Sequence, residues 1–145
     1  MTLTIAPLIA ADRTRWDVLA RGYRDFYKTP TTDAEYDESW RRLLTDDRVR
    51  GLGATLDGRL VAIAHYFFHT SIWVDNVCYL QDLFVDADTR GRGVARALIH
   101  RVADEARATC SARYYWHTQD HNGRARALYD KIAKYTGFVR YDYPL

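Results

Sequence analysis

Apolar residues recur with different periods along this chain, and each change of period marks a new element. Over residues 12–27, Trp16, Leu19, Ala20, Tyr23 and Phe26-Tyr27 fall at near-helical spacing and predict an amphipathic helix. A second helix is expected over 33–44, with Tyr36, Trp40, Leu43 and Leu44 on one face. Pro30 separates the two, and Thr31 or Thr32 can cap the second. Residues 50–56 and 59–69 flank Asp57-Gly58, the two-residue turn expected of an antiparallel hairpin. The longer arm is apolar at both odd and even positions, as a central strand covered on both faces must be. Other strands are expected over 3–8, 79–85, 112–118 and 137–143. Other helices follow Gly93 and run over 122–135, the first with Val94, Leu98, Val102 and Ala106 along one stripe. The order β-α-α-β-β-β-α-β-α-β predicts an α/β (mixed α+β) fold, a mixed sheet with helices on both faces.

The candidate chemistry gathers where the strand ending at Val85 gives way to the helix after Gly93. The intervening turn carries Arg90-Gly91-Arg92-Gly93. Glycines let successive backbone N–H groups converge, and a helix start adds partial positive charge, so strand, turn and helix together form an anion cradle suited to a pyrophosphate. A P-loop is excluded because the only Lys-Thr pair, Lys28-Thr29, follows no glycine. A dinucleotide fingerprint is excluded because Arg96 stands where its last small residue belongs.

The longer pattern, Arg90-Gly91-Arg92-Gly93-Val94-Ala95, resembles the Q/R-x-x-G-x-G/A signature of the GNAT superfamily of N-acetyltransferases. Tyr79-Leu80-Gln81-Asp82-Leu83-Phe84-Val85 looks like that family's fourth strand, Asn122 to Tyr129 like its N-x-x-A-x-x-L-Y segment, and Gly137-Phe138 like the opening of its last strands. The resemblance spans 50–143 and is nearest to the small diamine/polyamine and yeast histone/polyamine-type enzymes; residues 1–49 match only in kind. It implies one domain over 1–145, with a central, mixed, mostly antiparallel twisted sheet of about six or seven strands and about four helices. It also implies acetyl-CoA as cofactor, held by Arg90, Gly91, Arg92, Gly93, Val94 and Ala95 at the pyrophosphate. Leu83, Phe84 and Val85 would offer backbone amides to the acyl group and pantetheine, and Asn122 and Arg126 would complete that contact. Tyr129 takes the place of the tyrosine that protonates the leaving thiolate.

Acetyl transfer to an amine needs a neutral nucleophile, stabilisation of an oxyanion, and a proton for the thiolate. The base is open. Polyamine-type relatives carry Glu where this chain has Gln81, which cannot titrate but can orient water. Asp82 is adjacent, yet strict strand alternation turns it to the other face unless a bulge re-aims it. His117, Asp120 and His121 follow the next strand and are further candidates. Tyr27, Tyr36 and Trp40 are candidates for a substrate mouth, alongside His117 and Asp120. The expected activity is direct transfer to a primary amine of a small or lysine-like substrate. A non-catalytic acyl-CoA-binding module and a nucleotide-binding domain are the alternatives.

Composition narrows the remaining classes. A chain of 145 residues that is 48% apolar can bury a core without a disulfide or metal. A net charge of +2 is too mild to suggest nucleic acid. Acidic residues dominate 33–47 (Asp33, Glu35, Asp37, Glu38, Asp46 and Asp47), which suits either a cationic substrate or an ordinary solvated helix face. No apolar run suggests a membrane partner or leader, so a cytoplasmic location is expected. Cys78 and Cys110 are expected to be buried thiols, and no metal site is expected from His65/His69 or His117/His121. By analogy, a homodimer would join through the final strands or their aromatics Phe138, Tyr141 and Tyr143.

Overall fold

The computed structural model describes residues 2–145. Its sheet contains β1 (Leu3–Pro7), β2 (Arg50–Leu56), β3 (Arg59–His69), β4 (Val77–Val85) and β5 (Arg113–Tyr115), in that spatial order. The first four pair antiparallel, and β4 pairs parallel with β5. The turn between β2 and β3 places Asp57 at φ 50° and Gly58 at φ 87°, as a tight hairpin requires.

Helices α1 (Arg13–Phe26) and α2 (Asp33–Thr45) cover one face of the sheet, and α3 (Val94–Ala108) and α4 (Gly123–Ile132) the other. Thr32 caps α2: its hydroxyl accepts from the Glu35 N–H at 3.2 Å, and the Glu35 carboxylate accepts from the Thr32 N–H at 2.6 Å. The α1–α2 layer buries Trp16, Leu19, Tyr36 and Trp40 against Ile63 of β3. The α3 layer buries Val94, Leu98, Val102 and Ala106 against alternate residues of β2, β3 and β4. Each large apolar side chain removed from water contributes roughly 1.5–3 kcal/mol, so both layers are firmly seated.

Strand β4 carries a bulge that decides which way its residues point. His65 pairs with Asp82, but Tyr66 pairs with Leu80, leaving Gln81 as the extra residue. Before the bulge Cys78 and Leu80 face the α3 layer, whereas after it Leu83 and Val85 do. Asp82 and Phe84 therefore turn toward α1. Without the extra residue, Asp82 would share the face of Leu80 and be driven into the apolar α3 core.

The sheet has five strands rather than six or seven. β5 pairs with β4 only from Arg113 to Tyr115, and the chain then leaves the sheet instead of continuing to residue 118. Helix α4 stops at Ile132, and residues 137–143 form no strand. Phe138, Tyr141 and Tyr143 are 87%, 90% and 85% exposed, so this β-patterned tail lies away from any sheet edge. A strand pattern becomes a strand only where an edge is available to pair with it. Cys78 is buried as expected, but Cys110 is exposed, at φ 56° just after α3.

Candidate active site

The turn after β4 and the start of α3 form the cradle. Gly91 and Gly93 sit at φ 81° and 78°, conformations costly to other residues, and nothing lies within 4 Å of where a Cβ on either would project. Gly93 is the N-cap of α3, whose first turn follows at Val94 and Ala95. Val94 is buried, while Gly91 and Arg92 are exposed. Arg90 bends back to donate to the Val85 carbonyl at 3.3 Å, with its guanidinium over the Phe84 ring. Its charge is thereby tied to the end of β4. The cradle presents open backbone N–H groups beside a fixed cation, an arrangement suited to a diphosphate.

Beyond Tyr115 the separation of β5 from β4 opens a narrow slot of about 30 Å³. Gln81 and Leu83 line it from β4, Trp116 and His117 from the segment after β5, Tyr129 from α4, and Tyr23 and Tyr27 from α1. The Tyr129 ring meets Trp116 edge-on, with centroids 5.4 Å apart. Burial, reinforced by Tyr27, pushes the Tyr129 phenol up to about 12, so it retains its proton at physiological pH. Asn122 caps α4 by accepting from the Ala125 N–H at 3.2 Å, which leaves its side-chain NH₂ group as a donor. Arg126 donates to the Asp120 carbonyl at 2.8 Å and covers the Tyr135 ring. His117 shares a hydrogen bond with the Tyr79 hydroxyl at 3.2 Å.

A larger cleft of about 320 Å³ lies between α1, α2 and the sheet, and it shares Tyr23 and Gln81 with the slot. Asp82 and His65 form part of its wall, their side chains joined by a 2.8 Å contact between Oδ2 and Nδ1. Burial opposes the charge on Asp82, but His65, Tyr23 and Arg24 together outweigh it and hold the carboxyl below its usual range. Burial first, and then the Asp82 charge, pushes the Tyr23 phenol upward. Arg24 donates to the Thr31 hydroxyl at 2.8 Å and has no carboxylate within salt-bridge distance among the described residues.

Of the substrate candidates, Tyr36 lines the large cleft beneath the Arg21 guanidinium, and Tyr27 and His117 line the slot. Trp40 lies behind the wall, packed on Trp16 with centroids 4.9 Å apart. Asp120 is exposed and lines neither cavity. The acidic residues of 33–47 are largely taken up by neighbouring arginines, including Asp33 by Arg21, Asp37 by Arg13 and Asp46 by Arg48. Trp16, Tyr23, Arg24 and His65 are wall residues not marked by the sequence motifs. Trp16 and Tyr23 carry only the helical spacing of core residues, and His65 gains its meaning from the strand register.

The family model for the acetyltransferase (GNAT) family matches residues 16–135. The D-amino-acid N-acetyltransferase HPA3 of Saccharomyces cerevisiae is 34% identical over 135 residues, which cover 90% of this chain and 83% of that protein. The thialysine N-epsilon-acetyltransferase of Caenorhabditis elegans is 27% identical over 74% of this chain and 68% of its own length. Among solved structures, AAC(6')-Iy in complex with the bisubstrate analogue CoA-S-monomethyl-acetylneamine superposes with a TM-score of 0.88. That match covers 100% of this chain and 99% of the other at 18% identity, a likeness of fold. A family model spanning 16–135 and a relative 34% identical over 90% of the chain establish that the chain belongs to the GNAT family of acetyltransferases.

Proposed function

We propose that this protein transfers the acetyl group of acetyl-CoA directly to the primary amine of a small, amino-acid-like molecule. The observation that carries this reading is the meeting of slot and cleft at Tyr23 and Gln81, which brings two differently built cavities to one point. Backbone N–H groups from Gly91 to Ala95 hold the cofactor's diphosphate, aided by Arg90 and Arg92. Amides of Leu83 and Val85, which point away from β3, align the pantetheine arm and stabilise the oxyanion, with Phe84 between them paired to β3. Asn122 and Arg126 steady the arm from α4.

Asp82 receives the substrate's amino group from the cleft. A free alkylamine is overwhelmingly protonated at neutral pH, a handicap of roughly 4–5 kcal/mol for attack. The first proton leaves the ammonium to water oriented by Gln81 at the junction, freeing the lone pair for attack. Asp82 holds the nitrogen close and accepts the second proton once bonding to the acyl carbon makes it acidic. Tyr129 donates to the sulfur as the carbon–sulfur bond breaks. A phenol near 12 gives up its proton reluctantly to a thiolate, so hydrogen bonding to the developing charge is its larger contribution.

The charge pattern of the cleft favours a zwitterion. Arg24 lies near Asp82 and can take a carboxylate while Asp82 takes the amine. The yeast and nematode relatives are named for a D-amino acid and thialysine, consistent with that class. A thiol-release assay across D- and L-amino acids, thialysine, diamines and an aminoglycoside tests the reading. The fastest turnover is expected with amino acids; no turnover with any amine overturns the function, and preference for diamines overturns the zwitterion assignment. The same reading includes a homodimer joined through the exposed aromatic tail beyond Gly137.

A further inference from the structure

We propose that Trp16 acts on the acceptor site through His65: the indole fixes His65 as the neutral Nδ1–H tautomer, and His65 in turn holds Asp82 toward the substrate nitrogen. This rests on the reading of the cleft as the acceptor site. Both residues are positioning residues, since neither needs to touch the reacting atoms.

The donor and acceptor inventory leaves one arrangement. Trp16 Nε1 lies 3.0 Å from His65 Nε2, and an indole nitrogen can only donate. His65 Nε2 therefore carries a lone pair, and protonating it would set two N–H groups against each other. The remaining ring proton belongs on Nδ1, 2.8 Å from Asp82 Oδ2, where it donates to the carboxylate. Trp16 is 1% exposed and wedged against Trp40, so the indole cannot swing away to release the imidazole. The β4 bulge completes the chain by bringing Asp82 directly opposite His65.

A histidine beside a carboxylate ordinarily gains a proton and forms an ion pair. Here that would halve the usefulness of Asp82, because its charge would already be answered before an ammonium arrived. The lock keeps His65 neutral and leaves the carboxylate's charge for the substrate. The other titratable or charged groups facing this pair are Tyr23, Tyr27 and Arg24 from α1, Tyr79 from β4, and Glu35 and Arg42 from α2 at the cleft wall. The phenols of Tyr23, Tyr27 and Tyr79 are all shifted upward, chiefly by burial, and stay neutral over the relevant pH range.

Nitrogen-detected NMR of the labelled full chain, with the His65 ring assigned by its loss in His65→Asn, tests the lock without any substrate. The expected spectrum shows the His65 ring as an Nδ1–H tautomer at pH 7. An imidazolium or an Nε2–H tautomer at pH 7 overturns the proposal. In Trp16→Phe, which keeps an aromatic ring but removes the donor, the tautomer should no longer be fixed, and Nε2–H or imidazolium signals of His65 should appear at pH 7. The amine KM of that variant should rise while the acetyl-CoA KM stays constant; an unchanged amine KM overturns the proposal. His65→Asn, whose amide can still donate to Asp82, should retain roughly tenfold more kcat/KM for the amine than His65→Leu. Equal losses in two folded variants overturn it as well. Because the tautomer is read in the free protein, failure of the acetyl-transfer reading and failure of the lock are separable.

Discussion

Tyr129 brings an apolar environment and a proton donor together in one side chain. Replacement by Phe keeps the edge contact with Trp116 and removes only the hydroxyl, so kcat should fall tenfold or more with little change in CoA affinity, measured by thiol release and calorimetry. With the phenol pushed up to about 12, Tyr129 should add no alkaline limb to the rate profile below about pH 11. Asp82 behaves in the opposite sense. Its folded pKa lies below the ordinary value of 3.8, so its contribution to stability is present above that value and is lost as pH falls through the folded one. Asp82→Asn should flatten the loss of thermal stability on acidification below the ordinary carboxylate range, and should lower kcat/KM for the amine by roughly ten- to a hundredfold at neutral pH. The place of Tyr129 next to Leu128 on the helix that Asn122 opens was legible in sequence, and its role came from the resemblance of that segment. The His65–Asp82 pair was not, because its partners lie on different strands and meet only through the register.

At the scale of elements, the loop from Val85 to Gly93 was readable because its demands are local. Only glycine adopts φ near +80° at little cost, so two glycines preceding a helix permit a cradle, and the resemblance of the longer pattern over 90–95 to the GNAT signature made it the expected reading. Gly93→Ala should weaken CoA binding about tenfold by calorimetry, since the free loop of the variant relaxes out of the left-handed conformation and binding must restore it at a cost to alanine of roughly 1–2 kcal/mol. No neighbour lies within 4 Å of the added methyl, so the free protein should remain folded. The β4 bulge was much less accessible. Sequence alternation left Asp82 undecided between faces, and the pairing of Tyr66 with Leu80 rather than Gln81 settles its direction. The short β5 is a related instance: its apolar run continues past Tyr115, but pairing stops where the strands diverge. That divergence creates the slot, so the missing hydrogen bonds of the sheet make room for function.

For the whole molecule, two helical layers hold a sheet whose far edge opens between them, and the same opening admits Tyr129 from α4 and Tyr23 from α1. The chain beyond Ile132 stays outside this architecture, with Phe138, Tyr141 and Tyr143 in solvent. Light scattering should report a dimer for the full chain and a monomer after deletion of residues 136–145, with the far-UV spectrum retained; a monomeric full chain rejects the dimer assignment. By itself, the sequence determined the helix and strand periods, the hairpin turn and the cradle, because each depends on neighbours only a few residues away. It also placed Asn122 and Tyr129 on one helix through their spacing. Tertiary structure alone decided the fate of the tail, the face presented by Asp82 and the alignment of Trp16 with His65. Those outcomes depend on which strand edges are available and on a one-residue shift in pairing, and such long-range geometry has no signature in local apolar spacing.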